Sequence, residues 1–181
     1  MSSEELEKNK EMIIFMSSRF GEMQVPAASI IEIPSGVIGF PEATRYVMLE
    51  HKHPFSWLHA VDDPNLAFVV VDGFEFGQQF DVKPPINDKD GDFREDDEYA
   101  ILIIVTVRPD PRMTTANLKA PIFVNMRNRC GVQVIFDDPR YSTRFSLWSD
   151  DAQPAESAPR EESPREEPVA QGDSKHSDAG E

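Results

Sequence analysis

Tyr99-Ala100-Ile101-Leu102-Ile103-Ile104-Val105-Thr106-Val107 is the most continuous apolar run in the chain, and its reading decides the fold. It is rich in β-branched residues and apolar on both faces, which marks a buried strand rather than a half-exposed one. Each Ile, Leu or Val that it buries contributes about 1.5–3 kcal/mol, so this segment is expected to anchor the core. Pro109-Asp110-Pro111 ends it, because proline cannot donate to a ladder and biases its predecessor away from the helical region. At well under the ~20 residues needed to cross a bilayer, it is not a membrane span.

Downstream, Thr114-Thr115-Ala116-Asn117-Leu118-Lys119-Ala120-Pro121 reads as a polar loop feeding the strand Ile122-Phe123-Val124-Asn125, with Pro121 at its start. Arg127 to Gly131 turns the chain into Val132–Phe136. Asp137-Asp138-Pro139-Arg140 turns it again into Tyr141–Trp148, and the spacing predicts antiparallel hairpins.

Upstream, the predicted strands are Met12–Met16, Ala28–Ile33, Tyr46–Leu49, Phe55–Val61 and Leu66–Val71, with Gly21 and Pro26 read as breakers. Phe74–Val82 alternates apolar and polar residues on either side of Gly77-Gln78-Gln79, which predicts a strand with a bulge or bend. Some ten short strands and no long helical pattern give an all-β class, a small antiparallel β-barrel-like domain with little helix. Three regions are expected: a flexible lead-in over residues 1–11, the β domain over 12–148, and an acidic Pro/Ser/Glu-rich tail over 149–181. The tail holds ten acidic and three basic residues, a net −7, with Val169 as its one branched aliphatic residue. Such a composition predicts disorder.

The formal charge is −15, and removing the tail leaves −8 on residues 1–148. An acidic surface repels phosphate and attracts basic proteins, so direct nucleic-acid binding is not expected. Cys130 is the sole cysteine, which rules out an internal disulfide and suits a reducing compartment. The acidic N-terminus does not resemble an export signal, and a cytoplasmic location is expected.

Enzymatic chemistry finds no support. Gly-x-Ser-x-Gly, His-Glu-x-x-His, Cys-x-x-Cys and dinucleotide-binding patterns are absent, so neither catalytic residues nor a cofactor is expected. His51, His53 and His59 form the one histidine cluster, but they surround a proline turn and lack a fourth ligand at zinc spacing. Asp88, Asp90 and Asp92 match the first ligand positions of a calcium loop. Phe93 and Tyr99, however, stand where the turn glycine and the bidentate glutamate belong. Residues 87–98 are read instead as a solvated acidic connection, and no metal is expected. Gly36 and Gly39 in the loop Pro34–Pro41 are read as backbone positions, not as a phosphate cradle. Phe74 and Phe76 beside Asp72 and Glu75 suggest apolar anchors set among charges that attract a basic partner.

Gly36-Val37-Ile38-Gly39-Phe40, Pro54-Phe55, Asp62-Asp63-Pro64-Asn65-Leu66-Ala67-Phe68, Thr114 to Ile122, and Gly131-Val132-Gln133 with Tyr141 to Leu147 appear in this order. Together they resemble the flagellar assembly factor FliW family. The resemblance implies a β-barrel-like, non-enzymatic protein of flagellar regulation. It also implies binding to the RNA-binding regulator CsrA, relief of CsrA's repression of flagellin synthesis, and binding to flagellin in a partner switch. On that basis Asp62, Asp63, Asp72, Phe74 and Glu75 are the expected partner-binding residues, on a protein monomeric by itself. The alternative from another class is a β-barrel that binds a small ligand or carbohydrate, with Trp57 and Trp148 as a stacking platform.

Overall fold

The computed structural model describes residues 11–148. The expected tail, and all of the expected lead-in except Glu11, lie outside the described residues. Eleven strands follow in chain order: β1 (Met12–Ser17), β2 (Gly21–Pro26), β3 (Ile30–Glu32), β4 (Arg45–Glu50), β5 (Phe55–Ala60), β6 (Ala67–Asp72), β7 (Tyr99–Thr106), β8 (Thr115–Ala116), β9 (Ile122–Asn125), β10 (Gly131–Gln133) and β11 (Phe145–Ser146). Helical structure among these residues is confined to short 3-10 turns. The class is all-β and antiparallel throughout the named ladders.

The main sheet has the order β10-β9-β7-β6-β5-β4-β3. The Tyr99–Val107 run is its centre: the first half of β7 pairs β9, the second half pairs β8, and its other edge carries β6. The two edges of the sheet meet at a single bridge between Glu32 and Cys130, where the Glu32 N–H donates to the Arg129 carbonyl at 2.9 Å. The Arg129 guanidinium spans the same seam and donates to the Ser29 carbonyl at 3.0 Å. The sheet is therefore curled into a barrel-like form whose closure rests on one bridge.

Period-2 alternation divides the side chains between the two faces of this curl. Inside lie Tyr46, Leu58, Val70, Leu102, Ile122 and Val124, all buried. The outer face is covered twice. The β1–β2 hairpin, through Phe15 and Val25, packs with Ile30 of β3 over Val47 and Val61. At the far end, Phe80, Val82, Phe93 and Tyr141 close over Ile101, Ile103 and Phe123.

Four sequence expectations are corrected. Gly21 and Pro26 do not break structure but bound β2, since Gly21, at φ +75°, closes a tight hairpin in register Ser17–Gly21. Ala28 and Ser29 belong to a 3-10 turn, and the strand begins only at Ile30. Phe74–Val82 is not a bulged strand: Gly73–Gln79 is 3-10, started by the Asp72 carboxylate accepting from the Phe74 N–H at 3.0 Å and kinked at Gly77, φ +56°. Short polar caps of this kind outweigh an alternating pattern when no ladder partner is available. Finally, Tyr141–Trp148 forms no hairpin with β10. The chain after β10 continues along the preceding loop, with Val134 N–H donating to Pro121 O and Phe136 N–H to Lys119 O, and β11 then pairs β8.

The acidic connection is more than a solvated link. Phe93 is fully buried against Phe123, and a side chain at Gly91 would strike the Phe93 ring. Asn125, itself fully buried, donates through Nδ2 to the carbonyls of Gly91 and Asp92 at 3.2 Å and to the Asp97 carboxylate at 2.7 Å. Arg127 grips Asp97 from the other side at 2.9 Å. Hydrogen bonds from Arg127 first, with help from the Arg94 backbone N–H and Asn125, hold the Asp97 carboxyl down at about 2.

Candidate functional site

The five residues expected to bind a partner fall into two groups. β6 begins after the turn that holds Asp62 and Asp63 and ends at Asp72, so its six residues, at about 3.3 Å each, set the groups some 20 Å apart. Asp62 is engaged: its carboxylate receives a two-pronged contact from the Arg45 guanidinium, Nε to Oδ2 at 2.8 Å, which holds its pKa below the usual carboxylate value. Asp63 accepts from the Asn65 N–H at 2.9 Å and shapes the turn. Both are exposed, but their first task is local.

Asp72, Phe74 and Glu75 come together at the other end. Gly73 makes this possible, because a Cβ there would lie 2.5 Å from Ile101 Cγ2. The 3-10 turn can thus press onto β7 while Phe74 projects outward, 58% exposed. The Phe74 ring stands 6.0 Å from that of Tyr99, the first residue of β7. Glu98 precedes Tyr99, and its carbonyl accepts from the N–H of Met126, a further exposed apolar residue. Asp72 and Glu75 also border a hollow of about 290 Å³ at the mouth of the curled sheet, floored by the inner-face residues Met48, Val70 and Leu102 and rimmed by His53 and Pro54. Glu75 has no ion-pair partner among the described residues. The result is an exposed Phe74 beside a half-buried Tyr99, edged by carboxylates without ion-pair partners among the described residues and backed by a concave apolar floor. Phe76 faces the other way and packs on Phe80 and Phe145.

Tyr99, Glu98 and Met126 were not singled out from the sequence. Their meeting with Phe74 depends on the β6–β7 and β7–β9 registers, which join residues 20 or more positions apart. The one available signal was the acidic run 95–98 abutting the strongest strand.

Histidine chemistry does not assemble here. His59 is fully buried, its Nε2 2.8 Å from Ser17 Oγ, whereas His51 and His53 lie exposed at the β4–β5 turn. Among the described residues, no three His, Cys, Asp or Glu side chains come together as metal ligands. Trp57 and Trp148 both line a second hollow, on the outer face of β5. Its other walls include Phe55, Val69 and the guanidinium-bearing Arg19 and Arg108, without a carboxylate or side-chain amide. Its polar groups are the two guanidiniums with His51 and Thr114, set in a mainly aromatic and aliphatic lining. No described helix is long and apolar enough to cross a membrane.

The family model for FliW protein matches residues 14–147. Relatives named flagellar assembly factor FliW include one from Natranaerobius thermophilus, 34% identical over 146 residues and covering 78% of this chain and 97% of that protein. Another, from Geobacter sulfurreducens, is 36% identical over 140 residues, covering 76% and 87% respectively. A solved structure, described as the crystal structure of the flagellar assembly factor FliW, superposes with a TM-score of 0.69 at 28% identity, over 76% of this chain and 99% of that one.

Proposed function

This chain belongs to the FliW family of flagellar assembly factors, and from that premise we propose that it works by binding proteins, with the Asp72–Phe74–Glu75 face as its contact for a CsrA-type regulator. The observation that carries this reading is Phe74, exposed among unneutralised carboxylates at the mouth of an acidic body. An RNA-binding regulator must present basic surface, and an acidic partner is steered to it by charge and then held by an aromatic anchor. Once bound, the same negative field disfavours incoming RNA. Repression of flagellin translation is thereby relieved. Flagellin competes for the protein, so that the pool of this chain free to bind the regulator falls as flagellin accumulates. The setting is the cytoplasm, and the protein acts without catalysis.

Asp62 and Asp63 are proposed to add to the attracting field from the opposite end and not to the contact itself. Calorimetric titration with the CsrA-type regulator tests the assignment. The double substitution Asp72→Lys and Glu75→Lys is expected to weaken binding by about tenfold or more, equivalent to 1.4 kcal/mol. Unchanged affinity would remove this face from the contact. Truncation after Trp148 leaves the affinity near the full-chain value at moderate salt, because the contact lies within the β domain.

A further inference from the structure

The two outer covers of the sheet do not meet. Between the β1–β2 hairpin and the loop after β7, the outer face of β5 and β6 is left under a hollow of about 490 Å³, with Trp57 and Val69 on its floor. Arg19 closes one side, its guanidinium 4.5 Å from the Trp57 ring centroid. Arg108 and Trp148 stand on the other side. Arg108 also borders a neighbouring hollow, where it is joined by Met113 and Arg144.

Three features set this region apart. Arg45, Arg112, Arg127 and Arg140 are each matched to a carboxylate, but Arg19, Arg108 and Arg144 have no carboxylate partner among the described residues. On a body of net −8 this is a positive patch seeking anions. It is also apolar: Val107, Met113 and Trp148 are all more than half exposed. Furthermore, the Trp57 Nε1–H is buried without an acceptor among the described residues.

Residues 149–181 start at the wall of this hollow, since Trp148 lines it. Their 33 residues carry net −7 and place prolines beside carboxylates, as in Asp150-Asp151-Ala152-Gln153-Pro154-Ala155-Glu156 and Ser163-Pro164-Arg165-Glu166-Glu167-Pro168. Proline rings pack on aromatic faces, and arginines take carboxylates in bidentate fashion. We propose that residues 149–181 dock in cis on this hollow, with prolines against Trp57 and Trp148 and carboxylates on Arg19, Arg108 and Arg144. Attachment at Trp148 makes the event intramolecular, at an effective concentration on the order of millimolar. The hollow lies on the face of β5 that bears Phe55 and Trp57, opposite the mouth lined by Ser56. The docked tail therefore leaves the acidic face open. It masks the positive patch against other anions, nucleic acid included.

The experiment uses the full chain. Both of its tryptophans lie on the hollow, so Trp148→Phe leaves Trp57 as a reporter remote in sequence from the tail. Acrylamide quenching of Trp57 is compared between that chain and the same chain with Glu156, Glu161, Glu162, Glu166 and Glu167 each changed to Gln. Weaker quenching is expected with the carboxylates present at low salt. The difference should vanish near 1 M salt, where the Debye length is about 3 Å. Arg108→Glu with Arg144→Glu should raise quenching to the neutral-tail level, and a synthetic peptide of residues 149–181, added to the neutral-tail chain, should lower it again. Equal quenching at low salt overturns the proposal, as does protection that survives the two arginine changes. Protection that increases with protein concentration also overturns it, because the occupant is then the tail of a second copy.

Discussion

At Gly73 one missing methyl sets the geometry of the acidic face. Gly73→Ala places a Cβ against the Ile101 side chain, inside a packed core, and is expected to destabilise the protein by about 1–3 kcal/mol, read from urea unfolding. Lower regulator affinity should accompany it, because Phe74 and Glu75 ride on the same turn. Asn125 holds a comparable position under the acidic connection. Asn125→Ala removes one donor from the Gly91 and Asp92 carbonyls and the Asp97 carboxylate, which keep those of Asn128, Arg127 and the Arg94 N–H, and is expected to cost about 0.5–1.5 kcal/mol. The Asp97 carboxyl, held at about 2 in the fold against 3.8 ordinarily, carries a pH dependence. Its folded value is the lower one, so its contribution is complete above about pH 4 and is lost as pH falls toward 2. Acid unfolding followed by circular dichroism should show Arg127→Gln flattening the loss of stability in that window.

At the scale of elements, sequence reading succeeds where a segment's own pattern settles its state. β6 and β7 follow from β-branched runs, and β4 and β5 from short apolar and aromatic runs bounded by proline and aspartate turns; Pro121 stands at the entry to β9 as read, where Asn117 Oδ1 accepts from the Ala120 N–H. Reading fails where the outcome depends on a distant partner. Phe74–Val82 has a strand's alternation but no free sheet edge to join, and the Asp72 cap with Gly77 turns it into a 3-10 segment. Phe93, an isolated aromatic in an acidic run, becomes fully buried only because Phe123 and the Asn125 carboxamide receive it. Phe93→Ala should accordingly cost about 3–5 kcal/mol, a core penalty rather than a loop penalty, and thermal unfolding measures it. The acidic face was half legible: Asp72, Phe74 and Glu75 stand together because they are neighbours in sequence. Tyr99 and Met126 join them through strand register alone. Asp62 and Asp63 were grouped with them by composition, and the length of β6 separates them.

For the whole molecule, charge and shape are arranged on opposite sides of one curled sheet. Among the described residues, the mouth carries carboxylates without ion-pair partners beside the exposed Phe74, and the outer face carries guanidinium groups without carboxylate partners beside two tryptophans. Such polarity should make the proposed association with a basic regulator strongly salt-dependent, whereas folding rests on buried Ile, Val and Phe and should respond weakly to salt. Titration of this protein into a preformed complex of the CsrA-type regulator and flagellin-leader RNA tests the central claim most directly. The account predicts that RNA is released by the native chain, that release is reversed by added flagellin, and that it is lost with Asp72→Lys/Glu75→Lys. RNA that stays bound at saturating native protein, or that is released equally well by the charge-reversed chain, would contradict it.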